Sequence, residues 1–226
     1  MLKGIAASGG FAVGKIFVLE QIKPIFNSRF GGEKHENERF KNALEEYCRQ
    51  TEKTKDSLRR IVGKAGADIF KGHIFIAKDP DINEDIKRKI SMGFSAEMAA
   101  ESACESYIKQ FLNSDSELTR QRAADIKDVK NGFINILCSN DAFNKTIPFG
   151  SVLAAKELTP SAVNFLDRRR TAAVVTESGS RASHLALLLR AMGIPAVLSV
   201  EGLLEKLKSG QRVIVDGNKG EVIEIN

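Results

Sequence analysis

"VVTESGSRASHLALLLRAMGIPAVL", Val174–Leu198, is the stretch from which the fold can be read. A β-branched run gives way to a loop of small residues, and an apolar helix opens at His184. Gly193 supplies a helix C-cap before a second short strand at Pro195–Leu198. Strand, helix and strand in such close succession require a sheet with helices packed on it.

The same alternation extends outward. "SVLAAKEL" (Ser151–Leu158) and "TAAVVTE" (Thr171–Glu177) read as strands. Between them "TPSAVNFL" reads as a helix with Thr159 as N-cap and Pro160 at its first position. Downstream, "EGLLEKLKSG" reads as a short helix ending at Gly210, and "QRVIVDGNKGEVIEI" as a hairpin turning at "DGNKG". The opening residues, Leu2 to about Lys23, also carry a β pattern with glycine-rich turns.

From Gly32 to Asn140 the apolar period changes to three and four, predicting helices near 34–62, 66–78, 81–91, 95–112 and 116–138. Asp79–Pro80, Gly93, Ser95 and Asp115 or Ser116 supply the stops and caps. The expected architecture is an α/β domain, residues 1–25 and 143–226, interrupted by an inserted all-α domain, residues 26–142.

Composition sets limits. The chain has 226 residues with a net charge of +5, but its basic residues are spread among acids along helices. The densest cluster, Asp167–Arg170, reads as a helix terminus. Nucleic-acid binding is therefore not expected. No apolar run has the length of a membrane span and no signal-peptide core opens the chain, which predicts a cytoplasmic protein. Cys48, Cys104 and Cys138 are odd in number and widely spaced, as buried thiols of a reducing compartment are. No metal-ligand cluster surrounds His184, since His35 and His73 lie in the helical region. A serine-hydrolase elbow, a GxGxxG motif and a P-loop are also missing.

His184 is the residue with the most chemical promise. Ser178, Gly179, Ser180, Ala182 and Ser183 leave room for backbone amides to approach an anion, and the following helix adds its own N–H groups and positive dipole end. That field disfavours imidazolium, so a ring nitrogen keeps its lone pair, and it stabilises a phosphoryl group placed there. Arg181 lies in the loop. Arg190, six residues on, is offset from the ring by more than half a turn, which leaves a bound phosphate or an incoming partner as its contact. From these residues alone a second reading stands, in which His184 only opens a helix that Ser183 or Ser180 caps.

The pattern of motifs goes further. "GSRASHLALLLR" (Gly179–Arg190) resembles the phosphohistidine signature G-G-x-T-S-H-x-A-I-x-A-R of enzyme I of the bacterial phosphoenolpyruvate-dependent sugar phosphotransferase system. "GIAASGGFAVGK" (Gly4–Lys15), "IFKGHIFIAKDPDI" (Ile69–Ile82), "RQRAADIKDV" (Arg120–Val129) and "AAKELTPSA" (Ala154–Ala162) resemble further segments of that family's N-terminal half, in order. The resemblance implies a swivelling phosphohistidine α/β domain and a helical domain that docks the phosphocarrier HPr. It puts the phosphate on His184 with Arg190 as a catalytic partner, and Gly179, Ser180, Arg181 and Ser183 in the phosphate loop. It assigns His73, Phe75, Ile76, Ile82, Arg122 and Asp125 to the partner face.

The family's phosphoenolpyruvate and Mg2+ sites lie in a C-terminal dimerisation barrel that this chain lacks. No cofactor is therefore expected here, and the chain alone should only exchange phosphate with HPr. Within the loop itself, two positions depart from the signature. Ser180 stands for its second glycine and Ala182 for its threonine. Ser180 would restrict the loop if that position needs a positive φ. These departures keep open a degenerate HPr-binding module, and the swivelling domain of another phosphoenolpyruvate-utilising enzyme is a further alternative. Lys71 and Lys78 among Asp68, Asp79 and Asp81 make the expected docking face less acidic.

Overall fold

The computed structural model describes residues 1–19, 26, 29–138, 147–159, 166 and 169–225. The chain divides into two compact units, 1–22 with 60–66 and 143–226, and 23–59 with 67–142. The expected domain junctions at 25/26 and 142/143 lie outside the described residues, as does the helix expected after Thr159. Residues 60–66, assigned by periodicity to the helical insert, group with the α/β unit.

The α/β unit is built on one mixed sheet of eight strands. They are β1 (Leu2–Lys3), β2 (Ile5–Ser8), β3 (Phe11–Val18), β4 (Ser151–Ala155), β5 (Thr171–Thr176), β6 (Ala196–Leu198), β7 (Arg212–Asp216) and β8 (Glu221–Ile225). Their order is β1-β8-β7-β3-β4-β5-β6-β2. The run β3-β4-β5-β6 is parallel, and β7 and β8 form the expected antiparallel hairpin. Strands β1 and β2, adjacent in sequence, pair with opposite edges of this sheet, β8 and β6. Only Gly4 separates them, so the sheet must curl until its edges meet.

Gly4 shows how closely they meet. Its amide donates to Gly220 O at 2.9 Å, and a Cβ there would lie 2.6 Å from Leu198 O and 2.7 Å from Val200 Cγ2. On one face of the sheet, alternate residues Val152, Ala154, Ala173, Val175, Val213 and Val215 bury together with Leu203 and Leu207. Residues of opposite parity, such as Leu153 and Val174, are equally buried on the other face. Helix α5 (His184–Met192) ends at Gly193 in the left-handed conformation. Helix α6 is only Leu203–Lys206, shorter than expected: Leu207 is already extended, and Gly210 donates to Ile16 O.

The helical unit contains most of α1 (Glu33–Ala77), a helix broken at Gly63 where φ is 72°, then α2 (Pro80–Ser91), α3 (Ala96–Leu112) and α4 (Glu117–Leu137). The break falls between the two helices expected at 34–62 and 66–78. Asp79 caps α2 by accepting from the amides of Asp81 and Ile82, with Pro80 at the first position. Ser116 caps α4 through Thr119 N. Ser95 precedes α3 without a side-chain cap bond; that role passes to Glu36, which accepts from Ala96 N at 2.9 Å and Gly31 N at 3.0 Å. The core is an alanine-rich α3 against α2 and α4, with Phe40 and Tyr47 of α1 meeting Phe133 edge-on at 5.7 and 5.3 Å.

Glu36 is almost wholly buried and pairs with Arg39 at 2.6 Å, while Arg39 also reaches Glu97 at 2.9 Å. Burial alone would raise the Glu36 pKa; the amides of Ala96 and Gly31 and the Arg39 guanidinium outweigh it and hold the carboxyl below its ordinary value of 4.5. A carboxylate with a lowered folded pKa stabilises the fold above its unfolded pKa and loses that contribution as pH falls through the folded value. Glu36→Gln should therefore cost about 2 kcal/mol at neutral pH. The gap from wild type should be constant above pH 4.5 and close below it, as measured by urea unfolding across pH.

Candidate functional site

The site is the loop between β5 and α5, and its geometry follows from where its carbonyls go. Thr176 Oγ1 donates to Ser178 O at 2.5 Å and Ser199 Oγ to Gly179 O at 2.8 Å. Ser183 donates to Ser180 O through both its amide, at 3.2 Å, and its hydroxyl, at 2.8 Å. Arg190 Nη1 donates to Arg181 O at 2.9 Å. Four successive carbonyls are thus occupied by donors from β5, the end of β6 and α5. Among the described residues no acceptor meets the amides of Gly179, Ser180, Arg181 or Ala182. A loop with its carbonyls tied back and its amides open is suited to an anion.

Gly179 is needed where it stands. Its φ is 132°, and a Cβ would press on Leu198 at 3.1 Å. Ser180 does not adopt a positive φ, so the serine at the signature's second glycine position fits without backbone strain.

His184 is exposed at the first position of α5. Leu185, Ala186, Leu188, Leu189 and Met192 bury the opposite side of the helix. Ser183 is the N-cap, its hydroxyl accepting from Ala186 N at 3.2 Å. The expected cap and the exposed histidine therefore occur together, as neighbours rather than alternatives. Arg190 is placed differently from its expected contact with a phosphate or a partner. Its Nη1 reaches Ala7 O of β2 at 2.8 Å as well as Arg181 O, so it binds the loop to the N-terminal strand. Arg181 and Arg190 line an open cleft of about 540 Å3 with Ala182, Gly217 and Asn218.

The residues expected to face a partner scatter between surface and core of the helical unit. Phe75 is exposed at 75%, and Arg122 is exposed. Ile76 is partly buried against the core, and Ile82 is buried within it. His73, expected on the partner face, is an interior residue, 1% exposed. Its ring lies between two aspartates of α4, with Asp125 Oδ1 3.4 Å from Nε2 and Asp128 Oδ2 3.3 Å from Nδ1, and it meets Phe70 edge-on. The Nε2 contact with Asp125 ties α1 to α4, while Nδ1, though near Asp128, has no hydrogen-bond partner among the described residues. Asp128 escaped the sequence reading, although its spacing of three from Asp125 puts both on one helix face.

Two family models match the chain, "PEP-utilising enzyme, N-terminal" over residues 3–122 and "PEP-utilising enzyme, mobile domain" over residues 147–220. The chain belongs to the PEP-utilising enzyme family. Phosphoenolpyruvate-protein phosphotransferases of Priestia megaterium and Bacillus subtilis are 35% and 32% identical to it. Each alignment covers 98% of this chain but only 39% and 40% of those proteins, so the chain spans about two fifths of their length. An NMR solution structure of Enzyme I (nEIt) superposes with a TM-score of 0.74 at 32% identity, over 99% of this chain and 92% of that one. The N-terminal domain of a nitrogen Enzyme 1 shares the fold, with a TM-score of 0.69 at 22% identity.

The Ser183 cap is testable by itself. Ser183→Ala removes the acceptor for Ala186 N and a donor to Ser180 O, and should cost about 1 kcal/mol in urea unfolding. Ser183→Asp, which keeps a capping oxygen, should restore most of it.

Proposed function

We propose that this chain is the phosphotransfer part of a phosphoenolpyruvate-protein phosphotransferase, carrying phosphate on His184 and exchanging it with a histidine of HPr in sugar uptake. The observation that carries the reading is the placement of an exposed histidine at the start of α5, beside a loop in which four successive carbonyls are tied back. In the step, a ring nitrogen of neutral His184 attacks the phosphorus of the donor phosphohistidine. One N–P bond forms as the other breaks, and the leaving imidazole takes back its electron pair, so no proton is needed overall. Loop amides and the helix N-terminus face the charge on the moving phosphoryl group. Arg190 contributes by holding the loop in place.

By the same reading, phosphoenolpyruvate and magnesium bind in a C-terminal dimerisation domain of the full-length enzyme, in the cytoplasm. No helix among the described residues is long and apolar enough to cross a membrane. Partner docking falls to the exposed members of the helical face, Phe75 and Arg122. Relatives named as phosphotransferases match along 98% of the chain, which favours this reading over the swivelling domain of another enzyme.

The decisive experiment mixes the chain with HPr that a full-length family enzyme has phosphorylated from 32P-labelled phosphoenolpyruvate. Wild type should acquire an acid-labile label, and His184→Ala should acquire none. Equal labelling of the two removes the assignment. Stable binding of HPr without any label would instead identify a docking module that has lost transfer.

A further inference from the structure

Ser199 is the one non-glycine residue with a positive φ, 55°, among those described. It follows β6 directly, between Leu198 and Val200, both fully buried, and Val200 N is tied to Thr176 O at 2.9 Å. The backbone on either side is therefore fixed, and serine holds a conformation that glycine would adopt at less cost. What serine adds is a hydroxyl, and that hydroxyl donates to Gly179 O at 2.8 Å. Strain kept in this way is a mark of residues that serve a site.

We propose that Ser199 is a positioning residue of the phosphate loop, setting the direction of the Ser180 amide. The inference rests on the reading of His184 as the phosphate carrier. A trans peptide group is planar, with its C=O and the next N–H pointing opposite ways, and no described peptide is cis. Gly179 holds a φ of 132° against Leu198, and its carbonyl is held by Ser199. The Ser180 N–H on the same plane is consequently turned away from Ser199 and the end of β6, to the open side of the loop. Thr176 on Ser178 O, Ser183 on Ser180 O and Arg190 on Arg181 O act alike on the neighbouring peptides, so Ser199 is one of four anchors in register.

Three variants of the full chain separate the hydroxyl from the backbone strain. Ser199→Gly relieves the strain and removes the donor. It should unfold at the wild-type temperature or above it, yet accept phosphate from HPr about fivefold more slowly, the rate equivalent of one ordinary hydrogen bond. Ser199→Ala keeps the strain without the donor, and should be both slower and less stable. Ser199→Thr keeps the donor on a β-branched residue, so it should lose thermal stability while transferring within about twofold of wild type.

The residual dipolar coupling of the Ser180 N–H reports the bond's direction without any transfer. It should be shared by wild type and Ser199→Thr, and differ in the other two. Wild-type rates and couplings in Ser199→Gly and Ser199→Ala would overturn the proposal. If wild type itself takes no label, the carrier reading falls, and the Ser180 coupling alone decides the role of Ser199.

Discussion

The hydrogen bond from Gly4 N to Gly220 O sits where the chain leaves one edge of the sheet and joins the other. Unpaired strand edges are costly and prone to wrong pairing, and a segment that satisfies both edges removes the problem at a single crossing point. The crossing demands a residue without a side chain, because Leu198 O and Val200 already fill the space around it. It also brings β2 alongside β6, which puts Ala7 O within reach of Arg190. The guanidinium that holds the loop thus has its second anchor on the N-terminal strand. Closure of the sheet and shape of the site are consequences of one constraint.

The same sheet explains how a helical unit can interrupt it. Strands β3 and β4 are parallel neighbours, so the chain must cross from the end of one to the start of the other whatever lies between. A single helix would suffice for that crossing. Here residues 19–150 take its place, and since closure entropy grows only slowly with length, a long insert adds little cost if it buries a core of its own. It does, through the alanine-rich packing of α3 and the ring contacts of Phe133. Glu36 joins the start of α1 to the start of α3 and orders that core by an ion pair rather than by apolar contact alone.

Most of the element pattern was legible because local chemistry specified it. Asp79–Pro80, Ser116, Gly193 and the β7–β8 hairpin each satisfy backbone groups by residues next to them in sequence. What stayed hidden depends on distant partners. The opening residues read correctly as β, but nothing local says that Gly4 divides them between two sheet edges. His73 lies on a helical stripe that suits a core or a partner equally well, and only the acids of α4 bring it inside. Ser199 carries no sequence signal, since serine seldom marks a left-handed residue. Arg190 was identified by its motif, but its role depends on two carbonyls, one of them 183 residues away.

The loop shows why a basic side chain is a poor guide to an anion site. Its two arginines are conspicuous in sequence, yet Arg190 uses one amino group on two carbonyls, while four successive main-chain amides stand open. Amides stay open when the carbonyls of successive peptides are held elsewhere, so the groups that matter are the hydroxyls and the guanidinium behind the loop. Seen this way, the substitutions at Ser180 and Ala182 change little of the scaffold. Ser180 takes an ordinary backbone conformation, and all four carbonyl anchors lie on other residues. The loop's pattern of held carbonyls and open amides therefore depends on Thr176, Ser183, Arg190 and Ser199.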